Sequence, residues 1–227
     1  MAFSAKSLDF LFENRLHDSK QWYQDHKEDY RQYVSEPFAV FIEKIEPVIK
    51  EIDDKIICNP KKISRLYRDT RFSKGGSIFR DNVWCIFGRP REPYQDIPAF
   101  YFEINPDGFT YGCGCYRTST DAMNAYRKMI LDNDKIFCNA KKAYESQNIF
   151  TLEGEFYKRN KFIGESEDRV FWLNRKNIYL QNTSNDMDIL FSDNLASKIG
   201  EEFRKIAPVY DLMIKAEDIA AQQKIHI

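Results

Sequence analysis

The sequence lacks most of the features that would indicate a membrane or a nucleic-acid partner. Its 34 basic and 35 acidic residues nearly cancel to a formal net charge of −1, so no broad positive field is expected to attract nucleic acid. No apolar run approaches the roughly 20 residues of a membrane-spanning helix, and no basic start followed by an apolar core marks a signal peptide. We therefore expect a cytoplasmic protein without a membrane partner.

Histidine and cysteine are too few and too scattered to form a recognisable metal site. The three histidines, His17, His26 and His226, form no HxxxH or HExxH pattern. Five cysteines are an odd number, which argues against a disulfide framework and favours free thiols. Cys113 and Cys115 lack a second ligand pair nearby, so we interpret them as small buried residues. The sequence predicts no metal and identifies no cofactor.

Motifs of nucleophilic and acid–base catalysis are also missing. The chain has neither the GxSxG nucleophile elbow nor the GxxxxGK[ST] phosphate-binding loop, and no pair of carboxylates stands out. The sequence leaves open whether the protein is an enzyme. If it is one, its arginines favour hydrolysis or transfer at a phosphate ester, because guanidinium groups stabilise phosphoryl charge without supplying a nucleophile.

Hydrophobic periodicity predicts a single α+β domain over residues 1–227. Apolar residues recur at helical spacing over about 5–58 and again over about 193–224. The middle of the chain, about 62–182, is richer in strand patterns and turn residues. We therefore expect an antiparallel or mixed sheet packed by N-terminal and C-terminal helices.

Cap residues and prolines predict where several helices begin and end. Asp18 with Gln21 resembles a capping box that opens the second helix. Pro37 suits the first turn of the third helix, and Pro47 is expected to kink or interrupt it. The C-terminal pattern predicts either one helix or two helices broken near Pro208.

Turn residues predict two hairpins in the middle of the chain. Asn105-Pro106-Asp107-Gly108 separates two strand patterns and is a strong hairpin signal. Segments 169–173 and 177–181 also read as strands, and 174–176 is the candidate turn between them. On the strand after the first turn, Gly112 and Gly114 share one side, so we expect a neighbouring helix or a ligand to approach closely there.

Five stretches of the chain form a recognisable series. They read "LDFLFENRLHDSKQWYQDHKEDY" (8–30), "YRDTRFSKGGSIFR" (67–80), "FYFEINPDGFTYGCGCY" (100–116) with Arg127 beyond it, "LEGEFYKRNKF" (152–162) and "IGEEFRKIAP" (199–208). The series resembles the family known as domain of unknown function 2461, whose members carry an RDxRFS box. The resemblance implies a single α+β domain and brings no established activity. Where members usually read RFSKDKxPYK, Gly75 and Gly76 replace an acidic and a basic residue.

The most polar stretch is residues 65–80, which we name the arginine box. Its glycines allow close approach of backbone N–H groups to an anion, and its arginines can fork to phosphate or carboxylate oxygens. We therefore predict a small anionic ligand there as the protein's partner. Lys158, Arg159 and Lys161 could converge on the box together with Arg127. The predicted ligand-binding residues are Arg68, Asp69, Arg71, Ser73, Lys74, Arg80, Arg127 and Arg159.

Two other functions of the arginine box remain open. Asp69 beside the arginines could form an internal ion-pair network, which would make the protein a structural or protein-interaction domain. The aromatic neighbours Tyr67, Phe72 and Phe79 would suit a weak nucleic-acid binder, although the low isoelectric point argues against it.

The backbone geometry of the box is also open at this level. A helix would place Arg65, Arg68 and Arg71 on one face, because they are spaced by three. A strand would place Arg65, Asp69 and Arg71 on one side and Arg68 on the other. The two geometries predict different sites.

Overall fold

The fold is an α+β arrangement in a computed structural model that describes residues 2–69, 76–90, 97–115 and 117–225. These residues contain a five-stranded antiparallel sheet with the strand order β1-β2-β3-β5-β4. Its strands are β1 (Val83–Gly88), β2 (Ala99–Asn105), β3 (Gly108–Gly114), β4 (Thr151–Glu153) and β5 (Tyr179–Ser184). The predicted α+β class, with helices at both ends of the chain, is confirmed.

The helices precede, interrupt and follow the strands along the chain. They are α1 (Ala5–His17), α2 (Lys20–Asp25), α3 (Lys27–Tyr30), α4 (Glu36–Ile52), α5 (Thr120–Leu131), α6 (Lys135–Glu145), α7 (Glu167–Leu173), α8 (Met187–Leu190) and α9 (Leu195–Ile225). A π-helical segment, Arg31–Ser35, joins α3 to α4, and a 3₁₀ turn spans Pro60–Lys62. Among the described helices, none is both long enough and apolar enough to cross a membrane.

The chain divides into two compact units, each assembled from three segments. The first unit comprises Met1–Phe87, Tyr101–Tyr111 and Thr183–Glu201, and the second comprises Gly88–Phe100, Gly112–Asn182 and Glu202–Ile227. Strands β1, β2, β3 and β5 and helix α9 contribute residues to both units. That residues 1–227 fold as one domain stays a prediction.

The core of the first unit is built on phenylalanine rings. Helix α4 repeats apolar residues at a spacing of three and four, so Phe38, Phe41, Ile42, Ile45 and Ile49 form one buried face. The ring of Phe41 lies 4.3 Å from that of Phe102 on β2, centroid to centroid. This contact anchors α4 on the sheet.

The core of the second unit is also aromatic. Phe100 packs 4.7 Å from Phe203 and 4.8 Å from Tyr210, which lie two turns apart on α9. Trp172 of α7 is 1% exposed and meets Phe137 of α6 edge to face at 5.7 Å. Strand β4 pairs with β5 in a register that places Leu152 opposite Leu180, both buried.

The N-cap predicted for the second helix is wrong by one residue. The hydroxyl of Ser19, not the carboxylate of Asp18, accepts the N–H of Trp22 at 3.3 Å and caps α2. Asp18 ends α1 in the left-handed conformation with φ 43°. Pro37 lies in the first turn of α4, as predicted.

The prolines do not break the helices in which they lie. Pro47 is inside α4, so an interruption there is wrong, and Pro208 is inside α9, so the single-helix alternative is correct. A proline costs a helix interior ~3 kcal/mol. Burial of one large aliphatic side chain contributes about 2 kcal/mol, and α4 buries Ile42, Ile45 and Ile49. The packed face therefore outweighs the lost hydrogen bond.

The strand predicted at 169–173 is wrong, because these residues belong to helix α7. Ser166 caps this helix through its side-chain oxygen, and acidic residues occupy the first turn. The burial of Trp172 and Leu173 at consecutive positions fits a short helix end as well as it fits a strand.

The hairpin predicted at 174–176 is wrong for the same reason. These residues pair instead with the segment after β4, where the N–H of Lys176 donates to the carbonyl of Glu155 at 2.6 Å. The N–H of Tyr157 donates to the carbonyl of Asn174 at 3.0 Å. The first predicted hairpin is present, with β2 and β3 joined through Pro106-Asp107.

The glycine side of β3 is pressed by strand β5 rather than by a helix or a ligand. A Cβ added to Gly112 would lie 1.9 Å from the carbonyl oxygen of Leu180. One added to Gly114 would lie 2.1 Å from the Cβ of Tyr179. Close approach was predicted correctly, and its cause is strand pairing.

Candidate functional site

The described part of the arginine box forms two extended segments that pair in antiparallel fashion. Tyr67 bridges to Phe79, the N–H of Arg68 donates to the carbonyl of Ile78 at 2.9 Å, and the N–H of Arg80 donates to the carbonyl of Leu66 at 2.8 Å. The extended geometry is therefore correct and the helical one is wrong.

This pairing places two arginines on the same face. Side chains alternate along each extended segment, so with Tyr67 opposite Phe79, Arg68 and Arg80 lie together on the other face. The Nε of Arg68 donates to the carbonyl of Phe79 at 2.9 Å. The guanidinium carbon of Arg80 lies 4.6 Å from the ring centre of Trp84. The Nη1 of Arg80 also donates to the carbonyl of Arg65 at 3.5 Å. These contacts leave both terminal nitrogens of Arg68 and one of Arg80 without a hydrogen bond among the described residues.

The carboxylates around the box are mostly occupied elsewhere. Among the described residues, neither Arg68 nor Arg80 forms an ion pair, whereas Asp81 pairs with Arg15 at 2.5 Å. Burial raises the pKa of Glu103, whose side chain hydrogen bonds to Asn82. The arginines of the box therefore carry positive charge that the described residues do not neutralise by direct contact.

The carboxylate of Asp18 accepts hydrogen bonds from the backbone of the arginine box. Its carboxylate accepts the N–H of Ile78 at 3.1 Å and the N–H of Phe79 at 3.0 Å. Phe79 is fully buried, so this N–H needs an acceptor from the protein. The left-handed conformation of Asp18 at the end of α1 aims its carboxylate at the box.

Tyrosines surround the other face of the paired segments. The rings of Tyr67 and Phe79 lie 4.6 Å apart, and that of Tyr23 lies 5.5 Å from Tyr67. Burial raises the pKa of Tyr30 to about 12 and also raises the pKa of Tyr23. These hydroxyls stay protonated at neutral pH, so the aromatic face carries no charge.

The predicted site residues fall into three groups. Arg68, Asp69 and Arg80 lie in the paired segments, and Arg68 and Asp69 are exposed. Arg71, Ser73 and Lys74 lie outside the described residues. Arg127 and Arg159 belong to the second unit, and their convergence with the box stays a prediction.

Arg127 is committed to holding the second unit together. Its guanidinium donates to the carbonyl of Arg175 at 2.8 Å, to the carbonyl of Leu173 at 3.3 Å and to the hydroxyl of Tyr157 at 3.2 Å. These contacts tie α5 to the chain after α7. Arg159, in contrast, is exposed at the tip of the loop that follows β4.

The comparisons with known proteins agree with the series of motifs. Residues 6–212 match the family described as "Conserved hypothetical protein (DUF2461)". The chain belongs to this family. The match to DUF2461 includes the arginine box, Asp18, Arg127 and Arg159. The comparison with curated proteins found no match.

The thiols of this DUF2461 member differ widely in access. All five cysteines are free; Cys85, Cys113 and Cys115 are buried and Cys138 is exposed. Burial raises the pKa of Cys58 to about 11 and raises that of Cys85 and Cys113. In the described part of the chain, no group of three or more histidine, cysteine or acidic side chains could hold a metal ion.

We expect a disulfide reagent at pH 8 to modify one thiol of the native protein rapidly. Cys138 is exposed, whereas the buried thiols are shielded and the Cys58 thiolate is scarce. The measurement is the time course of thiol release, and Cys138→Ser should remove the fast phase. Rapid modification of three or more thiols in the folded protein would contradict the burial of Cys85, Cys113 and Cys115.

Glu103 should make the stability of the fold depend on pH. Burial raises the pKa of Glu103 in the folded state. The contribution of Glu103 to the free energy of unfolding is therefore fully present below its unfolded-state pKa, about 4.3. This contribution is lost as the pH rises through the folded-state pKa. Glutamine does not titrate, so the melting temperature of Glu103→Gln minus that of the parent should increase as the pH rises from about 4 to about 7. Melting curves of both proteins, recorded at several pH values in this range, measure this difference. A difference that stays constant across the range would contradict the prediction.

Proposed function

We propose that the protein binds a small phosphate- or carboxylate-bearing ligand at the arginine box, through Arg68 and Arg80. The observation that carries the proposal is the placement of two guanidinium groups on one face with no ion pair among the described residues. Guanidinium groups present paired N–H donors that match the oxygens of phosphate and carboxylate. An oxyanion would supply the counter-charge that this face lacks.

The way each arginine is anchored supports binding without large rearrangement. Arg68 is fixed through Nε, and Arg80 through its ring contact and its hydrogen bond to the Arg65 carbonyl, so both side chains lose less rotamer freedom when a ligand arrives. The carboxylate of Asp18 accepts two backbone hydrogen bonds and so holds the backbone of the 78–80 segment in place. Arg71, Ser73 and Lys74 remain members of the site on sequence grounds alone.

We also propose a cytoplasmic location. Five free thiols support it, because reducing compartments keep cysteines in this state. The isoelectric point near 6.3 supports a small anion over a nucleic acid as the ligand.

A melting-temperature screen at constant ionic strength tests the proposed class of ligand. Phosphate, sulfate, citrate and a short single-stranded oligonucleotide would be compared with chloride. A bound small anion stabilises by RT ln(1 + [L]/Kd), about 2.7 kcal/mol at 100 times Kd. We expect an increase with small oxyanions that saturates. Stabilisation by the oligonucleotide alone, falling steeply with salt, would favour a nucleic-acid surface. No increase with any anion would favour the internal ion-pair network.

A further inference from the structure

Arg175 is a buried cation in the second unit. Only 1% of its surface is exposed, although arginine is almost never fully buried without a partner. It lies directly after α7 and bridges to Phe156 in the segment that follows β4. The sequence pattern placed this arginine in a candidate hairpin turn, so the predicted site did not include it.

The guanidinium group of Arg175 lies over two phenyl rings. The guanidinium carbon lies 4.2 Å from the ring centre of Phe156 and 4.6 Å from that of Phe171. Its Nε donates to the carbonyl of Phe171 at 3.0 Å, in the last turn of α7. The ring faces and this carbonyl offset part of the cost of burying the charge.

The two terminal nitrogens of Arg175 lack partners in the part of the chain that the structure describes. No hydrogen bond from them and no carboxylate within ion-pair distance occurs there. Burial lowers the pKa of this guanidinium, which reflects the cost of keeping it charged in an apolar surrounding. Glu153 of β4 is the nearby carboxylate that acts on Arg175 through space. A buried charge in this state is stabilised by an anion that reaches its open edge.

We propose that Arg175 is the anchor of a separate site for an organic monocarboxylate, with Phe156 as its lid. The two rings crowd the planar guanidinium, so we expect a ligand to meet its edge. A flat carboxylate makes two parallel hydrogen bonds in the guanidinium plane, whereas a tetrahedral phosphate would press its outer oxygens against both rings.

The surroundings of the edge favour a ligand with an apolar body. Tyr144 stacks on Phe171 at 6.1 Å, and its hydroxyl accepts the N–H of Leu152 at 3.3 Å. The hydroxyl proton of Tyr144 has no acceptor among the described residues, so it can donate to a second carboxylate oxygen. The aromatic side chains around Arg175 can pack against the rest of the ligand.

Phe156 is placed to control access to Arg175. Its side chain is 49% exposed while it covers the buried guanidinium. Rotation of this one side chain toward solvent would uncover one face of the guanidinium and widen the approach to its edge, without breaking the backbone pairing at Lys176 and Tyr157. A lid that is closed about nine-tenths of the time weakens the apparent affinity about ten-fold.

Calorimetric titration with benzoate tests this site. We expect saturable binding to the full chain, loss of binding in Arg175→Met and about ten-fold tighter binding in Phe156→Ala. Arg68→Met, in the arginine box, should keep the benzoate binding that Arg175→Met loses, which separates this site from the carboxylate- or phosphate-binding site proposed for the box. If Arg175→Met fails to fold, the Phe156→Ala result decides. Absence of saturable binding in both the parent and Phe156→Ala overturns the proposal, as does benzoate binding that Arg68→Met abolishes.

Discussion

Replacing Asp18 with alanine should lower the free energy of unfolding by about 3 kcal/mol, because hydrogen bonds to charged groups contribute ~1.5–3 kcal/mol each. The substitution leaves the N–H groups of Ile78 and Phe79 without their acceptor. It also places alanine in a left-handed conformation that aspartate tolerates better. Urea unfolding followed by far-UV circular dichroism measures the loss.

Two further variants show which part of the Asp18 side chain is responsible. Asp18→Asn keeps one oxygen acceptor and suits the left-handed conformation, so we expect a loss of about half as much. Asp9→Ala changes an exposed aspartate of the same helix and should change stability by less than about 0.5 kcal/mol. Equal losses in Asp18→Ala and Asp9→Ala would show that the carboxylate does not hold the arginine box.

Gly112→Ala should destabilise the protein by more than about 4 kcal/mol or prevent folding, the range reserved for a forced clash in a core. The new Cβ would lie 1.9 Å from the carbonyl oxygen of Leu180, and this atom belongs to the paired backbone of β5. The strands would have to separate to relieve the contact. Soluble yield and melting temperature measure the effect.

Gly88→Ala is the matched control for this substitution. Its added Cβ would lie 3.1 Å from the Cβ of Ala99, so a shift of a few tenths of an ångström relieves the contact. We expect a loss of less than ~1.5 kcal/mol. A Gly112→Ala protein that melts close to the Gly88→Ala protein would contradict the observed packing of β5 on β3.

Strong local signals predicted most of the fold. The apolar face of α4 and the hairpin between β2 and β3 were both readable from neighbouring residues. Helix α7 was missed because seven residues with consecutive apolar side chains fit a short strand equally well. The cap Ser166, followed by two acidic residues, was the signal that could have identified it.

The site was only partly predictable, because its decisive contacts join distant parts of the chain. Arg68 and Arg80 were identified by composition and spacing. Asp18 was assigned to a helix cap, since nothing local shows that its carboxylate meets Ile78, 60 residues away. Arg175 was assigned to a turn because burial of an arginine between two rings depends on packing and leaves no sequence pattern.

The most direct test of the central claim is a calorimetric titration of inorganic phosphate into the parent protein, Arg68→Met and Lys205→Met. Lys205 is an exposed lysine of α9 and no member of the arginine box, so its variant is a control for the loss of one positive charge. We expect saturable binding to the parent and to Lys205→Met, and affinity at least about ten-fold weaker in Arg68→Met, since a charge-assisted hydrogen bond contributes ~1.5–3 kcal/mol. Equal affinity in all three proteins, or no binding to the parent, would contradict an anion site at the arginine box.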